Sequence, residues 1–170
     1  KKVAIRTNIT RGISKRGLDF EKNHRVGLYI KLNLVESSLL LKPIELNIAN
    51  IRRNNTSPIS QNKTLNYLDN VIEKNRAIRL GYEDAIFLNI DNKVSCTTTS
   101  NIFYVQKNKI FTPTLKDGVL NGIRRGQFLK KKIATTRSTT LNNLIKSDNI
   151  FLTNSIFGVR PVRHIFAYKK

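Results

Sequence analysis

The 170-residue chain has no Met, no Trp, one Cys, four Pro and 11 acidic residues against 31 Lys and Arg. One cysteine excludes an intramolecular disulfide framework, so a reducing, cytoplasmic setting is the expectation. Without Met there is no initiator, and a chain that begins at Lys1 reads as a fragment, a processed product or a mis-called reading frame. No apolar run reaches the ~18 residues needed to span a bilayer. The N-terminus has no apolar signal core, so no membrane partner is expected. His24 and His164 lie far apart with no carboxylate–cysteine pattern nearby, and Cys96 has no CxxC partner, so no metal site is expected. The few carboxylates show no paired-acid spacing.

The shortage of acid leaves a net charge of +20. Such a field suits nucleic acid or an acidic surface. The cations, however, are spread from Lys1 to Lys170 in a chain heavy in Lys, Asn and Ile, as AT-rich codons favour. The densest cluster, Lys130 to Lys132 with Arg124 and Arg125 upstream, falls on a predicted helix. There is no zinc-finger spacing, ribonucleoprotein-type aromatic motif or arginine-rich arm. Compositional bias is the better reading, no specific nucleic-acid partner is expected, and a small anionic ligand fits the field.

What is present is an α+β pattern with mixed and antiparallel strands. "VAIRTNI" (3–9) alternates as a half-buried strand does, and "TRGISKRG" (10–17) reads as a turn. "RVGLYIKLNL" (25–34) is a second strand, and "VESSLLLKP" (35–43) reads as a linker. The domain reading is therefore 1–34, a linker at 35–43, and 44–170. "IELNIANI" (44–51) alternates again, and "RRNNTSPISQN" (52–62) is rich in turn formers. From Thr64 the period changes. Leu65, Leu68, Val71, Ile72, Ile78 and Leu80 predict an amphipathic helix stopped by Gly81. Strands follow at 85–90, 94–96, 101–105 and 110–113, then a helix over 122–134. A short Thr-capped helix over 139–147 and strands at 149–154 and 159–168 complete the pattern.

Three segments suggest chemistry together. Lys63 precedes the helical run, and a desolvated lysine forms a Schiff base. Each lysine taken singly is more often a solvated cation. Gly122 opens a helix whose free N–H groups favour a phosphate. Thr153, Asn154 and Ser155 follow a strand and offer hydroxyl and backbone donors. An imine-forming lysine and two phosphate-binding turns are what a pyridoxal phosphate site needs.

In sequence order, "KTLNYL", "GYEDAIFLN", "VSCTTTSNIFYV", "IFTPTLKDGVLNGIRR" and "FLTNSIFGVRPVRHI" resemble the fold-type IV pyridoxal phosphate enzymes. That group holds branched-chain and D-amino-acid aminotransferases and aminodeoxychorismate lyase. "IRTNITRGISKRGLDF" is similar to the family's first strand and turn, and "TNSIFGVRPV" looks most like the lyase branch. The resemblance implies a large cofactor-binding domain over 44–170 with a short C-terminal end, and part of the small N-terminal domain over 1–34. Pyridoxal 5′-phosphate is the implied cofactor. The implied reaction is elimination of pyruvate from 4-amino-4-deoxychorismate to give 4-aminobenzoate, a folate precursor. The alternatives are an aminotransferase of the same fold and a truncated, impaired remnant. A homodimer, or a separate chain supplying the N-terminal part, is implied as partner.

By the same resemblance, Lys63 matches the lysine that carries the cofactor and moves protons at the substrate carbon. Tyr67 matches the tyrosine bonded to the cofactor's phenolic oxygen, and Leu120 the aliphatic residue against its ring. Ile123 and Arg124 match the residues whose backbone N–H groups bind the phosphate, and Ser155 the hydroxyl residue that also binds it. Asn101 matches an asparagine with a structural role. Cys96 stands where the family carries a glutamate that keeps the pyridine nitrogen protonated. A thiol there is a weak donor, and its loss of stabilisation is expected to cost on the order of 10²-fold in rate. Arg124 replaces a small hydroxyl residue, although a backbone role survives. The family's early phosphate-binding arginine has no counterpart in the chain.

Overall fold

A computed structural model describes residues 2–19, 25–35 and 41–166. His24, most of the linker and the last residues of the final predicted strand lie outside the described residues. The chain divides into two compact units, Lys1–Ser38 and Leu39–Lys170.

In the first unit, β1 (Lys2–Thr10) and β2 (Gly27–Val35) form an antiparallel ribbon in continuous register, with Ile5 opposite Leu32 and Ile9 opposite Leu28. Alternation along a strand puts Val3, Ile5, Ile9, Leu28, Ile30, Leu32 and Leu34 on one face. Gly12, at φ +81°, begins the return. A Cβ there would sit 1.8 Å from the Arg25 carbonyl oxygen, so only glycine fits.

The second unit holds eight strands: β3 (Ile44–Ile48), β4 (Asp84–Leu88), β5 (Val94–Thr97), β6 (Asn101–Gln106), β7 (Lys109–Thr112), β8 (Ala134–Thr136), β9 (Asn149–Asn154) and β10 (Gly158–Phe166). Their order is β5-β4-β3-β10-β9-β6-β7-β8, and a further β5–β6 pairing closes the first six into a ring. β3 pairs in parallel with both β4 and β10, while β4–β5, β6–β9 and β9–β10 are antiparallel. The ring is filled by one apolar cluster. Leu46, Ile86, Val94, Ile102 and Leu152 are all fully buried there. Each such side chain contributes about 1.5–3 kcal/mol by leaving water.

Among the described residues three α-helices lie outside the ring: α1 (Leu68–Arg79), α2 (Ile123–Lys130) and α3 (Leu141–Ile145). α2 packs through Phe128 onto Phe103 and Phe151, ring centroids 5.1 Å and 6.2 Å away. It stops at Lys130 rather than running to residue 134. Lys132 takes φ +55°, outside helical space, and Ala134 begins β8 beside β7. α3 is capped by the Thr140 hydroxyl, which accepts from the Asn143 N–H at 3.3 Å. Among the described residues no helix is long and apolar enough to cross a membrane.

α1 begins at Leu68, later than the spacing predicts, and its orientation is the unexpected feature. The side turned inward carries Ala77 and the carboxylate of Glu73, both at most 1 % exposed. Glu73 Oε1 accepts the N–H groups of Asn50 (3.0 Å) and Ile51 (2.9 Å), and Oε2 pairs with Arg76 Nε at 2.7 Å. This anchor fixes the rotation of the helix and leaves Leu68, Val71, Ile72 and Ile78 outside. Removing one partner of a buried, hydrogen-bonded charge pair costs about 3–5 kcal/mol. Glu73→Ala is therefore expected to lower unfolding free energy by about that amount in urea titration, against less than about 1 kcal/mol for the outward change Asn75→Ala.

Candidate active site

Lys63 stands at the end of a loop held from below by Arg53. The Arg53 backbone pairs with β4 through its N–H to the Leu88 carbonyl and its carbonyl to the Ile90 N–H. Its guanidinium donates Nε to the Gly118 carbonyl (2.8 Å) and Nη2 to the Ser60 carbonyl (3.0 Å), and lies 5.9 Å from the Phe87 ring centre. Ser57 caps a short 3₁₀ turn, Pro58–Ser60. The chain then emerges with Lys63 exposed. Its ammonium donates to the Tyr67 hydroxyl at 3.1 Å and sits 4.7 Å from that ring's centre. Tyr67 precedes the first residue of α1, so the start of the helix sets where the amine rests. Arg53, Asn62, Thr64, Tyr67 and Asn70 contribute to the wall of a pocket of about 170 Å³ beside it.

The turn after Cys96 is organised by a buried carboxylate. Asp84, 1 % exposed, accepts the N–H groups of Ala85 and Thr98 and the hydroxyls of Thr98 and Thr99. Asn70, in the first turn of α1, donates Nδ2 to the Thr98 carbonyl at 2.6 Å and so ties the Lys63 segment to the same turn. Cys96 itself is buried under Ala77, Ala85 and Phe87. Burial pushes its thiol up from 9.0. The nearby Arg53 charge and a contact from the Ser95 hydroxyl at 3.7 Å pull it down, Asp84 pushes it up again, and the net shift is upward. The group is therefore a neutral thiol at pH 7, a small and weak donor.

Asn101 is the centre of the remaining site. In register it lies between Cys96 on β5 and Thr153 on β9. Its side-chain N–H donates to the Leu120 carbonyl at 2.9 Å, and its oxygen lies 2.3 Å from where a Cβ on Gly122 would be. Only glycine can bring the opening of α2 this close. Gly122 is the N-cap and has no side chain to close the helix end. The N–H groups of Ile123 and Arg124 therefore have no intrahelical acceptor and point out of the first turn. The Ile123 side chain is 72 % exposed and, among the described residues, the Arg124 guanidinium bonds Gln127 at 3.3 Å, so what the two residues present at the helix start is their backbone N–H groups. Arg125, by contrast, is buried, donating to the Asn121 side chain and the Pro113 carbonyl. Ser155 is exposed at the tip of the turn after β9. Asn154 shapes that turn by accepting the Ile156 and Phe157 N–H groups at 2.9 and 3.0 Å. The Thr153 hydroxyl is buried on the strand beside Asn101 and has no hydrogen-bond partner among the described residues.

The fold thus brings Cys96, Leu120, the start of α2 and the Thr153–Ser155 segment around Asn101. Lys63 and Tyr67 join them through Asn70 and Thr98. Among the described residues no three His, Cys, Asp or Glu side chains gather as for a metal. Chemically the set offers a primary amine beside a phenol, uncapped N–H groups at a helix start that suit an anion, and a neutral thiol. Arg53, Asn70 and Asp84 are not visible as site residues in the sequence. Arg53 follows Arg52 in a polar loop, and only the fold turns one inward and the other out. Asp84 carries one faint sign, an acid at the entrance to an otherwise apolar strand.

Comparison with known proteins places this arrangement. The chain is 28 % identical over 166 residues to an aminodeoxychorismate lyase from Bacillus subtilis, covering 95 % of this chain and 57 % of that protein. It is 30 % identical over 129 residues to one from Vibrio harveyi, covering 73 % and 48 %. The chain thus spans about half the length of these curated relatives. A solved Legionella pneumophila structure, assigned as a 4-amino-4-deoxychorismate lyase, superposes with a TM-score of 0.83 at 31 % identity over 95 % of this chain and 61 % of the other. The branched-chain aminotransferase of Thermoproteus uzoniensis, 24 % identical, shares the fold with a TM-score of 0.85 over 96 % of this chain and 57 % of its own. The amino-transferase class IV family model matches residues 1–165, and the chain belongs to that family.

Proposed function

We propose that the second unit holds pyridoxal 5′-phosphate and serves an aminodeoxychorismate lyase reaction, eliminating pyruvate from 4-amino-4-deoxychorismate to leave 4-aminobenzoate. The observation that carries this is the pairing of the Lys63 amine with the Tyr67 hydroxyl at 3.1 Å, in a unit whose α2 opens with free N–H groups. The lyase relatives at 28–31 % identity support the choice of reaction.

The residues present fit the cofactor at two of its ends. Gly122 leaves the first turn of α2 uncapped, and the Thr153 hydroxyl beside it is a buried polar atom without a partner. Both suit a phosphate. At the other end is an amine in reach of a hydroxyl. At the pyridine nitrogen the match is weaker, because a buried neutral thiol gives a weak donor and no counter-charge. When bound, the group supplies an aldehyde that a primary amine can attack and a ring that accepts electrons. Ile123 and Arg124 hold the phosphate through their N–H groups, with the Ser155 hydroxyl joining them. Leu120 packs against the ring. Tyr67 orients the amine and accepts its proton contact, and Lys63 carries protons to and from the reacting carbon. The cationic chain favours approach of a dianionic substrate. A cytoplasmic setting belongs to the same reading.

A second reading is a branched-chain-type aminotransferase. It is supported by 30 % identity over 132 residues to an Aquifex aeolicus protein bearing that name, covering 73 % of this chain and 42 % of that one. Release of 4-aminobenzoate without 2-oxoglutarate is expected for the lyase, whereas 2-oxoglutarate-dependent transamination alone would establish the other.

Adding pyridoxal phosphate to the folded chain is expected to produce an absorbance band near the visible edge. Lys63→Ala abolishes it with circular dichroism unchanged; a folded wild-type chain with no band refutes the proposal. Cys96→Glu is expected to raise turnover by about 10²-fold, because it restores a charged partner at the electron-accepting end. Because the folded thiol is raised above 9.0, the native state keeps its proton longer than the unfolded chain. Its stabilising share is thus full below pH 9 and is lost as pH rises through the folded value. Native Cys96 is expected to resist a thiol reagent at pH 8 and to react at once in denaturant. The loss of stability above pH 9 should be smaller in Cys96→Ser.

A further inference from the structure

The start of α1 decides where the Lys63 amine rests, yet Tyr67, its N-cap residue, makes no side-chain capping bond. Its hydroxyl is engaged with the amine instead, at 3.1 Å. Among the described residues, the first turn of α1 (68–71) reaches another element through one side-chain hydrogen bond, from Asn70 Nδ2 to the Thr98 carbonyl at 2.6 Å. A carbonyl only accepts, so the NH₂ end of the amide has to face it. The carbonyl is itself well held. Thr98 is buried, and its N–H and hydroxyl both go to the buried carboxylate of Asp84. The Thr99 hydroxyl reaches the same carboxylate at 3.3 Å, and the Thr97 hydroxyl accepts the Ser100 N–H at 3.1 Å. Glu73 fixes the rotation of α1 further along, at the Asn50 and Ile51 N–H groups. At the first turn that task falls to Asn70.

We infer that Asn70 is a positioning residue: bonded to Thr98, it fixes the first turn of α1 and with it the Tyr67 hydroxyl that orients the Lys63 amine. The inference rests on the reading of Lys63 as the reactive amine. The path has few links. Asp84 holds Thr98, Thr98 holds Asn70, and Tyr67 holds Nζ of Lys63. Asn70 follows Tyr67 by three residues, the spacing of neighbours on a helix surface. Both side chains line the pocket of about 170 Å³ beside the amine, so amide and phenol share one wall. The turn that Asn70 grips also joins Cys96 on β5 to Asn101 on β6. The tether therefore holds the amine in one frame with the other half of the site. That matters because Lys63 is exposed at the end of a loop. A reacting group misplaced by about 1 Å can lose about 10²-fold in rate. Asn70 limits that drift without touching the amine. The helix end that suits the phosphate, at Gly122, lies on another element, so the role of Asn70 falls on the amine.

Two measurements on the full chain test this, with circular dichroism to verify folding. The first needs no cofactor. Lysines are labelled briefly with acetic anhydride, and labelling at Lys63 is read by peptide mass against the exposed Lys130. Asn70→Ala is expected to raise Lys63 labelling severalfold, because the amine is released from Tyr67. Asn70→Asp keeps the shape and loses the donor, and should do the same. Asn75→Ala, on the outward side of the helix, should change nothing. Tyr67→Phe alone should give the same rise, and Asn70→Ala should add nothing to it, since both break one path. The second measurement is the rate at which the absorbance band forms with saturating pyridoxal phosphate. Asn70→Ala is expected to slow it about tenfold, because the freed amine is no longer aimed. Unchanged Lys63 labelling in Asn70→Ala, wild-type behaviour of Asn70→Asp, multiplying effects of Asn70→Ala and Tyr67→Phe, or raised labelling with an unchanged band rate would each overturn the inference. A folded wild-type chain that forms no band overturns the proposed function instead, and the labelling series still decides whether Asn70 places the amine.

Discussion

The side chain of Asn101 is the constraint around which the site is built. It sits where β5 and β6 meet to close the ring, opposite Cys96 on one side and Thr153 on the other. From there it holds the Leu120 carbonyl and fills the space next to Gly122. One amide therefore fixes four things together: the ring closure, the path of the chain at Leu120, the start of α2 and the spacing to the turn after β9. A carboxylate at 101 would keep the shape and lose the donor to Leu120. A side chain at 122 would push the helix end away. Backbone groups can bind an anion only if their loop cannot drift, and this packing removes the freedom to drift.

The few acids are used internally. Glu73, Asp84 and Asp117 are buried, each accepting several backbone or hydroxyl hydrogens. Glu83 takes the Glu45 N–H and the Arg160 guanidinium. Carboxylates that organise turns cannot neutralise the surface, so the outward field is more cationic than a count of opposite charges would suggest. The net charge follows from how few the acids are, and the character of the surface also from where they are employed.

Much of the architecture was legible in the sequence because β3 alternates and β4, β6 and β9 are short, near-continuous apolar runs, all bounded by polar or turn-forming residues. The positions of Lys63, Gly122 and Ser155 at element boundaries were legible for the same reason. The ring closure was not, since a β5–β6 pairing leaves no local trace beyond a tight Thr-rich turn. The rotation of α1 was also hidden. A hydrophobic period says that a helix has two faces, and it takes Glu73 bonded to the Asn50 and Ile51 N–H groups to decide which one turns inward. Helix α2 ended early for a similar reason: Ala134 is claimed by β7, and a pairing partner outcompetes helical continuation. Arg53 could be told from Arg52 only by the carbonyls of Ser60 and Gly118 that converge on it.

The strand order of the second unit ends at β8, three residues long, of which Thr135 and Thr136 are exposed. An open strand is a template on which another chain can add by hydrogen bonding, the first step toward aggregation. Lys130, Lys131 and Lys132 closely precede this strand, all exposed, and a strand so short, polar and closely preceded by cations is a poor template for such growth. The cationic run that looks most like a nucleic-acid patch in the sequence thus stands at the border of a helix and the last strand of the sheet.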